Sequence, residues 1–258
     1  IYGILGFIKS SNNNSDIWAA MWKVIKHKAH PMLGIELLEF LRNAKEYNRL
    51  ICSGINSKTI ALYRYLGIYT NHLNQYVIIN KKIQNFNILK VEDIAPIKQI
   101  HFKENSQYSL TKIKECELDF NFDSQKYIPF KDKKYFVKRY FNHPMYDYSV
   151  YSINKKETLS SLIVTREEVV NNSKFLRIVD YLGDEKDLVY IARYLYKIIL
   201  DNDYEYIDFI CFGFSEKTLG NACFTMIDFN SNKLIAPNYF APFVQENIKI
   251  NFMADIKN

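Results

Sequence analysis

IWAAMWKVIKHKAHPMLGIELLEFLRNAKEYNRLICSGINSKTIALYRYLGI, residues 17–68, decides the fold of this chain. It opens on IWAAMWKV (17–24), an apolar run with two Trp that reads as a buried central strand. KHKAHPMLG (26–34) is a basic turn. From Gly34 the period changes. Ile35, Leu37, Leu38, Leu41 and Ala44 share one face of a 3.6-residue repeat, with Glu36, Glu39, Arg42 and Lys45 outside, which predicts an amphipathic helix. RLICSGI (49–55) predicts a strand, and SKTIALYRYLG (57–67) a second helix closed by Gly67. Upstream lie a strand over 1–8 and a polar turn over 10–16; downstream, Ile68–Ile79 supplies one or two more strands. The order is α/β with α+β layering: mixed twisted sheets flanked by helices.

The turn between strand and helix has its own chemistry. The N–H groups near Met32, Leu33, Gly34 and Ile35 lack helical acceptors. An anion there meets several donors and the positive end of the helix. Gly34 lets a ligand approach the backbone, and Lys26, His27, Lys28 and His30 add positive charge. The turn reads as a pyrophosphate site, or as a packing turn whose Gly suits close contact. Asn56 reads as an N-cap or a ligand contact. Tyr63 reads as a packed ring or a proton donor at the mouth of a cleft.

Residues 80–134 are less regular and read as a linker and the opening of a second domain. From 135 the α/β order returns. A hairpin turns at NKKE (154–157), FLRIVDYLG (175–183) is a strand, DLVYIARYLYKIILDN (187–202) a helix, YEYIDFICFG (204–213) a strand and KTLGNACF (217–224) a short helix. Asn142, His143, Asp180 and Asp208 are the polar candidates here. Asp180 reads as a group that accepts from a substrate or raises the basicity of a His. The alternatives are a simple turn at Asn142-His143-Pro144, and caps or backbone contacts for the two Asp.

At 258 residues the chain is long enough for one large domain or two ordinary ones. Apolar residues make up 48% and charged residues 24%, as in a packed globular protein. The formal charge of +6 favours anionic ligands, but no Lys/Arg run exceeds KDKK (131–134), which argues against nucleic acid. Four cysteines without metal-ligand spacing read as reduced thiols in a cytoplasmic protein, and no metal site is expected. No apolar run is long enough for a spanning helix, and there is no signal peptide. A strand at Ile1, without Met, leads to the expectation of preceding sequence.

GINSKTIALYRYLGI (54–68) resembles the final motif of the GCN5-related N-acyltransferase family, GNAT, which places an Asn seven residues before the Tyr of a Leu-Tyr pair and then a Gly-aromatic turn. Asn56, Leu62, Tyr63 and Gly67 match, and Ile68 stands where an aromatic is usual. KAHPMLGIELLEFL (28–41) is similar to the family's acyl-CoA pyrophosphate loop and helix. Gly34 fits the first Gly, Pro31 replaces Arg or Gln, and Glu36 replaces the second small residue. KRYFNHPMYDYSVYSI (138–153), IVDYLG (178–183), YIDFICFG (206–213) and PNYFAPF (237–243) resemble the second half of two-domain acyltransferase-like proteins encoded with bacterial surface-polysaccharide enzymes.

These resemblances imply a tandem GNAT-like fold: the later part of a first domain in 1–90, a linker and opening in 91–134, and a second domain in 135–258. They imply acetyl-CoA or another acyl-CoA as co-substrate, with Lys28, Met32, Leu33, Gly34, Ile35 and Asn56 toward it. Tyr63 would protonate the leaving thiolate, with His143 and Asp180 as further catalytic candidates. Asn142 and Asp208 would hold a small-molecule amine, an amino sugar or nucleotide-linked sugar, in a cleft between the domains. The alternatives are a non-catalytic binding or scaffold protein, or an aminoacyl-tRNA-dependent transferase.

Overall fold

The structure, a computed structural model, describes residues 1–11, 16–25, 27, 30–44, 47–92, 100–120 and 126–256. The chain divides into two compact units. Unit 1 comprises Ile1–His72, Ser124–Phe136 and Ile250–Asn258; unit 2 comprises Leu73–Asp123 and Val137–Lys249. The boundary expected near residue 90 therefore falls at 72/73, and the chain's last strand does not belong with the unit that precedes it in sequence.

Unit 1 contains β1 (Gly3–Lys9), β2 (Ile17–Val24), α1 (Leu33–Ala44), β3 (Arg49–Ser53), α2 (Ile60–Tyr65) and β4 (Tyr69–His72). The helix expected over 57–67 opens as a tight turn at Ser57–Thr59, because Asn56 Oδ1 accepts from the Lys58 amide at 2.9 Å. α1 forms where the pattern places it, burying Leu38 and Leu41 against Ile17, Leu50, Tyr63 and Met253. Each such side chain contributes about 1.5–3 kcal/mol of hydrophobic stabilisation.

Unit 2 contains β5 (Asn74–Ile79), β6 (Lys90–Val91), β7 (Tyr108–Ile113), β8 (Ser149–Lys155), β9 (Thr158–Val170), β10 (Ser173–Leu182), α4 (Asp187–Asp201), β11 (Tyr206–Cys211), α5 (Glu216–Asn221), β12 (Thr225–Met226) and β13 (Leu234–Ile235). The short α3 (Lys133–Phe136) belongs to unit 1, and a π-helical turn, Val137–Phe141, follows it. β14 (Asn251–Ile256), the last strand, belongs to unit 1. β7 lies in the stretch expected to be linker; its YSLTKI is half-buried and alternating, and pairs with β8.

The main sheets have one plan. Unit 1 runs β1-β2-β3-β14-β4, and unit 2 runs β9-β10-β11-β5-β12 at one side of its seven strands. In each, the second and third strands are parallel and the other neighbours antiparallel. In each, the second strand carries one extra residue. Gly6 opposes Met21 and Phe7 opposes Ala19, which leaves Ala20 unpaired. Thr165 opposes Ile178 and Val164 opposes Asp180, which leaves Val179 unpaired. Such a bulge bends a strand and frees its backbone groups from the ladder. Each fourth strand comes from a distant part of the chain: β14 for unit 1, and β5, directly after β4, for unit 2.

Candidate functional site

A cleft of about 310 Å³ opens in unit 1 where β2 and β3 part. The two strands pair only at Ile17–Leu50 and Trp18–Ile51, although β2 continues to Val24 and β3 to Ser53. The end of β3 is drawn to the other side, where the Gly54 and Ile55 amides both donate to the Asn251 carbonyl, at 2.8 and 3.1 Å. The gap is lined by Ala19–Trp22 of β2, by Cys52–Asn56, and by Thr59 and Tyr63, with Leu38 and Met253 also in the wall. The bulged Ala20 sits in this wall, so backbone polar groups outside the ladder are available there.

Tyr63 is buried, and its ring centroid lies 5.9 Å from that of Trp22. Burial, and after it the nearby Cys52, push the phenol up to about 12, against a lowering hydrogen bond with Thr59. Tyr63 thus keeps its proton through the neutral and mildly alkaline range. Burial also raises the Cys52 thiol, which keeps it uncharged and a poor nucleophile. Among the described residues, Cys52 and Tyr63 are the titratable groups of the lining.

At the start of α1, the Leu33 amide donates to the His30 carbonyl at 3.2 Å and the Glu36 amide to the Met32 carbonyl at 3.0 Å. The amides of Gly34 and Ile35 have no acceptor among the described residues. The expected set of backbone donors is therefore narrowed, with Leu33 removed. Packing against β2 does not require glycine at 34: a Cβ there would lie 3.5 Å from the Trp22 ring and 3.6 Å from Val24, ordinary contact distances. Glu36 is exposed and meets His30 Nε2 at 3.2 Å. Lys28 lies outside the described residues.

The candidates in unit 2 have other partners. Asp208 has no exposed surface and sits inside β11, where Arg177 grips it through Nε and Nη2 at 3.0 and 2.7 Å and Gln75 Nε2 donates at 3.2 Å. It is an interior ion pair, not a substrate contact. His143 Nδ1 accepts from the Met145 and Tyr146 amides at 3.2 and 3.1 Å, which leaves the proton on Nε2. That tautomer donates and cannot serve as a base at Nε2. Asp180 lies two residues before the end of β10; it accepts from Tyr140 Oη and the Tyr181 amide. His143 packs on Tyr148, Tyr148 on Tyr140, and Tyr140 bonds Asp180, so a ring chain links the pair. Asn142 is exposed and donates to Glu115 Oε2 at 3.1 Å.

Of the expected residues, the structure brings Asn56 and Tyr63 into one lining. Ala20, Cys52 and Met253 join them. A bulge leaves no trace in the run Ile17–Trp22, which is apolar throughout, and Met253 is remote in sequence, so neither was visible beforehand. Cys52 stands beside the Asn56 motif but reads from the sequence only as a reduced thiol.

No family model matches the chain, and no curated protein does. Among solved structures it is similar to a conserved protein from Enterococcus faecalis V583 described as a probable N-acyltransferase, at 9% identity over 98% of this chain and 57% of that one, with a TM-score of 0.52. It is also similar to a GCN5-related N-acetyltransferase from Anabaena variabilis ATCC 29413, at 11% identity over 99% of this chain and 58% of that one, TM-score 0.49. A tandem GNAT protein from the clavulanic acid biosynthesis pathway matches at 9% identity over 99% of this chain and 79% of that one, TM-score 0.46. The chain spans under three fifths of the first two. The Enterococcus likeness establishes the fold alone: mixed α/β, with twisted mixed sheets and flanking helices.

Proposed function

We propose that unit 1 binds an acyl-CoA and that the protein transfers its acyl group to an amine. The observation that carries this is the cleft between the diverging strands, with the protonated Tyr63 in its wall. The start of α1 supports it, since two first-turn amides stand without acceptors. Gly34 and Ile35 would donate to the pyrophosphate, beside Met32, and Asn56 would border the pantetheine arm. The co-substrate supplies an acyl group already activated as a thioester. The backbone at Ala20 orients the carbonyl; the neutral amine bonds to the carbonyl carbon, the C–S bond breaks, Tyr63 gives its phenolic proton to the departing sulfur, and the proton shed by the new amide nitrogen returns to the phenolate through water. No carboxylate or imidazole is among the cleft's described lining, so the acceptor's ammonium proton goes to water.

The second-half resemblance makes the acceptor an amino sugar, free or nucleotide-linked, in surface-polysaccharide synthesis. The four free thiols suit a reducing compartment. A non-catalytic binding protein is the second reading, favoured by that same lack of a base and by the Glu36 carboxylate in the first turn of α1.

Tyr63→Phe separates the two. Turnover, followed by thiol release, should fall about 10²-fold or more, while the acetyl-CoA Kd stays unchanged. Because Tyr63 is raised to about 12, the wild-type rate should not decline near pH ~10, where an ordinary tyrosine titrates. Equal turnover in the variant, or a decline near that pH that the variant lacks, contradicts the assignment.

A further inference from the structure

We infer that the chain binds one acyl-CoA, in unit 1, because the equivalent position in unit 2 is filled by the chain itself. This rests on the acyl-CoA reading of unit 1. The shared sheet plan and the shared bulge make β10 the counterpart of β2 and β11 that of β3. α4 then answers to α1, and α5 to α2.

β10 and β11 also part early, pairing only from Leu176–Ile207 to Ile178–Phe209. Here the gap holds rings. Phe209 meets Phe214 edge-on at 5.0 Å and Phe224 at 6.3 Å, and Tyr181 closes on Phe214 at 5.7 Å. Phe209 and Phe224 are buried. Phe214 precedes the cap residue Ser215 as Ile55 precedes the cap Asn56 in unit 1.

The anion position is closed as well. The amides of Lys186, Asp187, Leu188 and Val189 all have acceptors: Asp184 Oδ1 at 2.9 Å, then the carbonyls of Asp184, Glu185 and Lys186 at 3.0, 3.2 and 3.1 Å. α1 leaves Gly34 and Ile35 open where α4 leaves none of these. The Glu185 carboxylate crosses to the start of α5, accepting from the Ser215 amide at 2.8 Å and Thr218 Oγ1 at 3.0 Å. Asp187, also buried, accepts from the Ser160 and Ser161 hydroxyls. Three carboxylates thus surround the helix start and repel a phosphate. Gly183 holds the turn against β9, where a Cβ would lie 1.9 Å from Ser161 Oγ.

The chain's two tryptophans, Trp18 and Trp22, both lie in β2, and Trp22 lines the unit 1 cleft, so indole emission reports that unit alone. The full chain is titrated with CoA, following heat and indole emission together. Both should saturate at one equivalent. Heat that continues to a second equivalent after the emission has levelled overturns the closure of unit 2. No heat at all overturns one-per-chain binding by removing the acyl-CoA reading itself, a distinguishable failure. Ala20→Trp, at an exposed position of the cleft wall, should abolish the heat; one equivalent still bound by the folded variant would place a site in unit 2 and overturn the inference.

Discussion

Removal of residues 250–258 should unfold unit 1 and abolish acetyl-CoA binding. β14 lies between β3 and β4, paired to both, so its loss divides the sheet. It also removes the buried Phe252 and Met253, at about 1.5–3 kcal/mol each. Asp255 goes with them, leaving Arg42 Nε and Tyr47 Oη without the carboxylate they hold at 2.9 and 2.7 Å. Unpaired groups of this kind cost about 1–3 kcal/mol. The sum reaches the ~5–15 kcal/mol that a domain has in total. Trp18 and Trp22 should then emit as solvent-exposed indoles in the truncated chain. Asp255→Ala should give a milder loss of about 2–3 kcal/mol by urea unfolding. Native indole emission and intact acetyl-CoA binding in the truncated chain would contradict the placement of β14.

Asp208→Ala should cost unit 2 about 3–5 kcal/mol, because it leaves a buried guanidinium without its counter-charge. Arg177 packs beside the rings of Phe175 and Phe240, each centroid 5.3 Å away, and Asp208 is its ion-pair partner. Burial opposes the Arg177 charge, but Asp208 more than offsets it, so the guanidinium stays protonated. Gln75 of β5 donates to the same carboxylate and loses its acceptor too. Arg177→Met combined with Asp208→Leu should recover most of the loss, since apolar replacement of both partners avoids a buried lone charge. The measurement is a urea-unfolding double-mutant cycle. A single variant within about 0.5 kcal/mol of wild type, the range of an ordinary surface change, would return Asp208 to the functional candidates.

Much of unit 1 was legible because its signals are local. The apolar run 17–24, the 3.6-residue pattern from Gly34 and the Gly67 stop each fix an element from its own residues. The same holds for α4 and the hairpin at 154–157. Pairing partners were not legible. NQYVII lies in a stretch that reads as strand and NFMADI in a tail that reads only as extended, yet nothing in either says which sheet takes it; tertiary contacts decide that. The division of the chain at 72/73, rather than near residue 90, has the same cause. At the site, Asn56 and Tyr63 were found because both match one short motif of the family that the stretch 54–68 resembles. His143 and Asp208 misled because a polar residue near a strand end or turn looks alike whether it faces a substrate or an interior partner. The stretch YLGDEKD (181–187) reads from its sequence as a helix start without a Gly-rich loop; its partners Ser160, Ser161, Ser215 and Thr218 are brought to it only by folding.

The central claim is that acyl-CoA occupies the unit 1 cleft. Amide hydrogen exchange of the full chain, with and without acetyl-CoA, tests it by location. Protection should appear in three segments: residues 17–24, the start of α1 around Gly34 and Ile35, and residues 52–65. It should be absent from the start of α4 and from residues 209–218. Protection confined to the α4 and α5 segments, or none at saturating acetyl-CoA, would contradict the account.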